Sequence, residues 1–186
     1  RTPLAAHAHL EPQAALVDVQ ADKVTAWVST QAAFGVRSDL ASTLGIDEEQ
    51  IEVIPTYLGG GFGRKSNVEA AREAAILSKS AGRPVHVGWN RTEDMRHGFF
   101  RPPTHHVLKG KVDGNGRIQA LQHEVASGDV LFSFFPGAAA AVVGADFGAY
   151  RGARLEYDGI PNRQMVSYRT PLAVRTGPWR GLGLLA

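Results

Sequence analysis

Four glycines around one aromatic, Gly59-Gly60-Gly61-Phe62-Gly63, followed by Arg64 and Lys65, form the stretch of this 186-residue sequence best suited to hold a ligand. Glycines let the backbone take positive φ and approach a bound group closely, and they leave several N–H donors in a small space. The run follows a strand-like segment and precedes a helix-like one. A helix N-terminus just after it is therefore expected to favour an anion, with Arg64 and Lys65 adding positive charge. Two nucleotide motifs are narrowly missed. Gly61-Phe62-Gly63-Arg64-Lys65-Ser66 lacks the last glycine of the dinucleotide fingerprint, and Arg64 stands where the phosphate loop requires glycine. For the glycines alone, a tight structural turn and a ligand loop are both open readings.

Other groups are weaker candidates. His7-x-His9-x-Glu11, placed on a strand, would set three possible zinc ligands on one face, but a polar strand edge is the expected reading. His105 and His106 are expected on opposite faces of a strand, one toward solvent and one toward the core. Glu93 and Asp94 are expected near a helix N-terminus, where their charge favours the dipole. Glu69 and Glu73, one helical turn apart beside Arg72, are expected on a solvated face. Trp179, beside Arg180, reads as a pocket wall or as packing.

The elements that must position these residues follow from periodicity. Ala14 to Val19 and Val24 to Ser29 predict a hairpin. Phe34, Val36, Leu40, Ala41 and Leu44 predict an amphipathic helix over Ala32 to Leu44, ended by Gly45. A polar turn, Asp47 to Gln50, leads into a strand over Ile51 to Ile54. After the glycines, Ser66 or Asn67 is expected to cap a helix from Val68 to Ala81, closed by Gly82. Pro84 to Trp89 predicts a strand, and Thr92 to Met95 a helical turn. His105 to Lys111 and Arg117 to Ala126 flank Asp113-Gly114-Asn115-Gly116, a strong hairpin signal. Gly137 to Tyr150, rich in Ala and Gly, reads as a helix or loop of small residues, and Gln164 to Thr170 as a strand. Strand pairs with interspersed helices predict a two-layer α+β fold.

Composition narrows the function classes. Twenty Lys and Arg against 18 Asp and Glu give a net charge of +2, too balanced for a nucleic-acid binder. An isoelectric point near 9.1 suits an anionic small ligand. No apolar run reaches the roughly 20 residues of a membrane helix. The absence of cysteine excludes disulfides, thiolate metal sites and cysteine-ligated iron–sulfur clusters in this sequence. Starting at Arg1 and stopping just after a Gly/Pro-rich turn, residues 1–186 are expected to be a partial domain within a longer polypeptide.

Read together, several segments resemble one family in order and spacing. They are Glu11-Pro12, Trp27-Val28-Ser29-Thr30-Gln31, Gly59 to Lys65, Gly82-Arg83-Pro84-Val85, Asn90-Arg91-Thr92-Glu93-Asp94-Met95 and Gly177-Pro178-Trp179-Arg180-Gly181-Leu182-Gly183. The family is the molybdopterin-binding large subunit of the xanthine dehydrogenase and aldehyde oxidase superfamily. Gly63-Arg64-Lys65, His97, Phe100-Arg101-Pro102 and Thr176 to Arg180 look closest to the isoquinoline 1-oxidoreductase β-subunit and aldehyde dehydrogenase branch. The resemblance spans about Glu11 to Gly183.

That resemblance implies a molybdenum cofactor-binding domain with a mixed sheet and packed helices. It also implies hydroxylation of an aldehyde or N-heterocycle with water as the oxygen source. Gln31 matches a glutamine near a molybdenum oxygen ligand, a job that suits an amide because it does not titrate. Gly60, Gly61, Phe62, Gly63 and Arg64 match the loop that runs beside the cofactor. Arg180 matches an arginine that orients substrate or cofactor phosphate. The family's catalytic base, a glutamate in a Gly-Glu motif far toward the C-terminus, has no counterpart here, so this segment alone is not expected to turn over. The implied cofactor is molybdopterin in its cytosine dinucleotide form. The implied partners are the rest of the large subunit, an iron–sulfur subunit or domain that takes the electrons, and a small-molecule substrate. The closest branch points to the periplasm. The alternative is a cofactor-free binding or assembly module that keeps the fold without the chemistry.

Overall fold

A computed structural model describes residues 1–132, 146 and 158–181. The chain divides into two compact units, one of Arg1–Ala6 with Phe99–Ala186 and one of His7–Gly98.

The His7–Gly98 unit is a sheet covered by helices. Strands β1 (Ala14–Val19) and β2 (Val24–Val28) form the expected antiparallel hairpin, with Ala15 opposite Val28 and Val19 opposite Val24. Helix α1 (Ala33–Leu44) carries the chain to β3 (Ile51–Pro55), which pairs parallel to β2. A parallel neighbour needs such a crossover, because no tight turn can reverse the chain twice. Helix α2 (Glu69–Ala81) then returns the chain to β4 (Val85–Gly88), antiparallel to β1, for a sheet order β3-β2-β1-β4. Helix α3 (Arg91–His97) follows, its Asn90 and Glu93 forming a reciprocal capping box.

Alternation along β1 and β2 sends Ala15, Val17, Val24, Ala26 and Val28 into one core with Val36, Leu40, Ala41 and Leu44 of α1. Helix α2 contributes Ala70, Ala71, Ala74 and Ala75, whose small side chains let it lie close to the sheet. Buried Ser78 is satisfied twice, accepting from Val19 N–H at 3.0 Å and donating to the Arg83 carbonyl at 2.8 Å. Phe34 does not join this core and is 85% exposed. It precedes Val36 by two residues, about 200° around the helix, so a strict helical period carries it to the opposite side.

In the other unit, β5 (Thr104–Val112) and β6 (Ile118–Ser127) form a hairpin. Its turn is built on Asp113, whose Oδ1 accepts from the N–H groups of Asn115 and Arg117, both at 2.9 Å, while Gly116 takes φ +79°. Strand β7 (Asn162–Arg169) pairs parallel to β6. His105 is exposed, whereas His106 turns inward to His123 at 2.8 Å and to Thr104 at 2.7 Å, the expected division of that pair. Buried Asp146 accepts from three successive backbone N–H groups, those of Val130, Leu131 and Phe132, a tie that no sequence pattern announced. Most of the small-residue stretch Gly137 to Tyr150 lies outside the described residues. Mixed strand directions and helices packed on a sheet make this the α+β architecture expected from the pattern.

Candidate functional site

The glycine run leaves the end of β3 and turns sharply. Gly60 and Gly63 have φ +87° and +99°, and Phe62 has φ +54°. That value is unfavourable for a residue with a Cβ, and its presence in a glycine-rich loop marks a conformation imposed by the surroundings. A short 3₁₀ turn, Arg64–Ser66, follows, and α2 begins only after Val68. The helix start expected at Val68 is met within one residue, but the 3₁₀ turn separates it from the glycines, so no α-helix N-terminus stands directly behind the loop. Neither Ser66 nor Asn67 caps α2; the Asn67 side chain instead donates to Glu69 at 3.0 Å.

Side-chain oxygens hold both ends of the loop. Glu11 accepts from Gly59 N–H at 2.8 Å, and Gln31 accepts from Gly63 N–H at 2.9 Å. Between them, the N–H groups of Gly60, Gly61 and Phe62 have no acceptor among the described residues. Three consecutive donors are thus left at a tight turn. The lack of side chains is a steric requirement at two positions. A Cβ on Gly59 would overlap the Glu11 Cβ, and one on Gly61 would overlap the Gln31 amide.

Arg64 and Lys65 are not offered to a ligand as charge, which corrects that expectation. Arg64 is 1% and Lys65 0% exposed. Arg64 pairs with Glu69 at 3.1 Å and lies 5.5 Å from the Trp89 ring centroid. Glu69 is consequently not on a solvated face, having a side chain only 16% exposed. Burial alone would raise its pKa, but the Arg64 charge and the Asn67 hydrogen bond outweigh that and hold it below the usual carboxylate range. Glu73 does stay exposed, where it accepts from Trp89 Nε1 at 2.9 Å.

The His7, His9 and Glu11 segment is not a strand. Ala8 sits at φ +45°, which breaks the alternation that would have aligned the three side chains. Both histidines are buried, Glu11 turns to the loop, and no metal-holding cluster of His, Asp or Glu occurs among the described residues. His9 lies under Gly60, with its ring 3.5 Å from the Asp94 carboxylate. Burial pushes the His9 pKa down to about 4; Asp94 opposes this, and Lys65, Arg64 and Arg91 reinforce it. Asp94 is thus more than a helix-terminal charge, being buried and also paired with Arg91 at 3.1 Å.

Of the residues singled out by sequence, Gln31, Gly60, Gly61, Phe62, Gly63 and Arg64 come together in this unit. Arg180 belongs to the other unit, where it stands exposed in a turn with Gly181 at φ +83°. Its neighbour Trp179 is half-buried and packs under the Arg101 guanidinium at 5.6 Å. The sequence offered Glu11 as a possible zinc ligand and Lys65 as a charge for an anion; that both brace the loop was not legible, because their pairing joins residues 54 positions apart.

Comparisons with known proteins identify the family and the fold. The chain is 35% identical over 130 residues to the molybdenum-binding subunit of an aldehyde oxidoreductase from Escherichia coli (strain K12), covering 69% of this chain and 18% of that protein. It is 30% identical over 186 residues to the isoquinoline 1-oxidoreductase β-subunit of Brevundimonas diminuta, covering 99% of this chain and 24% of that one. The chain thus spans about a quarter of these relatives or less. Quinoline 2-oxidoreductase from Pseudomonas putida 86 shares the fold, with a TM-score of 0.74 at 22% identity, over 98% of this chain and 23% of that chain. Residues 1–168 match the molybdopterin cofactor-binding domain, and with the loop geometry and these relatives the chain belongs to that family.

Proposed function

We propose that this chain supplies one wall of the molybdopterin site in a molybdenum hydroxylase that oxidises an aldehyde or an N-heterocycle with water as the oxygen source. The observation that carries this reading is the loop between Glu11 and Gln31, which leaves the N–H groups of Gly60, Gly61 and Phe62 without an internal acceptor. Such donors fit the oxygen and sulfur atoms around the metal end of a pterin cofactor. When bound, the cofactor supplies the two-electron redox chemistry. Gln31 shares its amide between the loop and the ligand side: its Oε1 accepts from Gly63, which leaves its NH2 as a donor that keeps the same charge at any working pH. Phe62, 40% exposed, sets an apolar edge beside the donors.

The finer points rest on the family. We assign the cytosine dinucleotide form to the cofactor, an iron–sulfur subunit or domain to the electron outlet, and substrate or cofactor orientation to Arg180. The absence of cysteine requires that any such cluster be held by thiolates elsewhere. Export to the periplasm is proposed on the same ground, with cell fractionation as its check. Among the described residues no helix is long and apolar enough to cross a membrane. The test of the main proposal is metal and pterin analysis of the protein produced at its natural full length, together with the subunits that copurify. Molybdenum and pterin near one per protein are expected. Protein that carries neither, from cells that load other molybdenum enzymes, overturns the proposal and favours a cofactor-free module.

A further inference from the structure

The two anchors of the glycine loop are not independent, because both lead to Lys65. Its ammonium, fully buried, donates to the Glu11 carboxylate and to Ser29 Oγ at 2.9 Å. Its backbone carbonyl accepts from Gln31 N–H at 2.8 Å and from Thr30 Oγ1 at 3.0 Å. A closed circuit results: Gly59 to Glu11, Glu11 to the Lys65 side chain, the Lys65 main chain to Gln31, and Gln31 to Gly63. Burial alone would raise the Glu11 pKa, yet the Lys65 hydrogen bond and the Gly59 N–H hold it below the ordinary range, so Glu11 stays a carboxylate at neutral pH.

We propose that Lys65 is the positioning residue of the cofactor loop, fixing through Glu11 and Gln31 the spacing at which the Gly60, Gly61 and Phe62 donors are presented. The proposal rests on the function proposed above for what the loop holds, but not for how the loop is held. A buried lysine is a costly way to fill space, since desolvating the ammonium needs full compensation. Here the compensation comes from groups that each touch the loop or its flank, which is the arrangement expected of a support that sets geometry. Lysine also reaches both anchors at once, its carbonyl at one and its amine at the other, as no apolar residue can.

The test compares Glu11→Ala, Lys65→Met and the double variant Glu11→Leu with Lys65→Met, each in the full-length protein. Three quantities are read: thermal midpoint, amide hydrogen exchange at Gly59 and Gly63, the two loop N–H groups held by acceptors, and pterin per protein. Both single variants should speed exchange in the loop and lower the pterin content, each about tenfold, the scale seen when supports behind metal ligands are removed. The double variant removes both charges from the interior, so its midpoint should recover while loop exchange stays fast and pterin stays low. A pair that serves stability alone would regain pterin together with the midpoint, and that result overturns the proposal. Unchanged loop exchange in Glu11→Ala also overturns it. This variant decides the matter should Lys65→Met fail to fold, because the Glu11 side chain is 36% exposed, so water can enter where it is truncated and solvate the Lys65 ammonium. If the unaltered protein holds no pterin, the cofactor reading fails, whereas the exchange measurements still judge the role of Lys65.

Discussion

Replacing Gly61 with alanine tests the link between Gln31 and the loop directly. Gly61 does not occupy the left-handed region, so an added methyl meets no backbone penalty there. It meets the Gln31 side chain instead, overlapping Oε1 and crowding Cδ at 2.7 Å. Gln31 must swing away, which breaks its 2.9 Å bond from Gly63 N–H. Losing that bond costs about 1 kcal/mol, and forcing the flank apart adds about 1 kcal/mol, the low end for overpacking, because Gln31 is exposed and can move. Gly61→Ala should therefore lose about 2 kcal/mol, and Gln31→Ala about 1 kcal/mol for the bond alone. The double variant has no clash left and loses the same bond once, so it too should lose about 1 kcal/mol, giving a coupling near 2 kcal/mol. Equilibrium urea unfolding followed by tryptophan fluorescence, with Trp27 and Trp89 both in this unit, measures all three. Additive losses of about 3 kcal/mol in the double variant would refute the steric argument.

Two further outcomes follow from burial. His9 titrates at about 4 in the folded chain and near 6.5 when unfolded. The unfolded state thus binds more protons between those values, and stability should fall as pH drops from 6.5 to about 4, by roughly 1 to 3 kcal/mol, then level off for this group. Glu11 and Glu69, whose pKa values are depressed, withdraw their contribution only below the ordinary carboxylate value of 4.5, so the windows separate. Urea midpoints at pH 7, 6 and 5 should decline in the unaltered protein and stay nearly level in His9→Leu; parallel slopes would remove His9 from the account. Leu40, fully buried between α1 and the sheet, should lose about 3 kcal/mol on truncation to alanine, and the thermal midpoint should fall by about 10 °C. A drop of only 1 or 2 °C would mean that α1 packs more loosely than described.

The sequence by itself determined the elements. The β-rich runs Ala14 to Val19 and Val24 to Ser29, the 3–4 spacing of Val36, Leu40, Ala41 and Leu44, the glycines after both long helices and the Asp113 to Gly116 turn are local signals, because each depends on residues a few positions apart. They placed β1, β2, α1, α2 and the β5–β6 hairpin within a residue or two. The ordered segments from Glu11 to Gly183 were equally enough to point to the family. Local signals erred where backbone conformation or burial decided the outcome. Ala8 at positive φ took His7 and His9 out of the strand alignment, and burial of Arg64 drew Glu69 in from the expected solvated face.

The fate of charge was what only the tertiary structure could decide. Arg64 and Lys65 after four glycines read as groups offered to an anion. In the fold they point inward, and their charge is spent on Glu69 and on Glu11, the latter 54 residues earlier in the sequence. Whether a side chain near a loop faces the ligand or the interior depends on which long-range partners can compensate its desolvation, and that is set by packing. The glycines therefore mark the site in the sequence, but the donors left at it belong to the backbone, and it takes the fold to show which N–H groups are already spent.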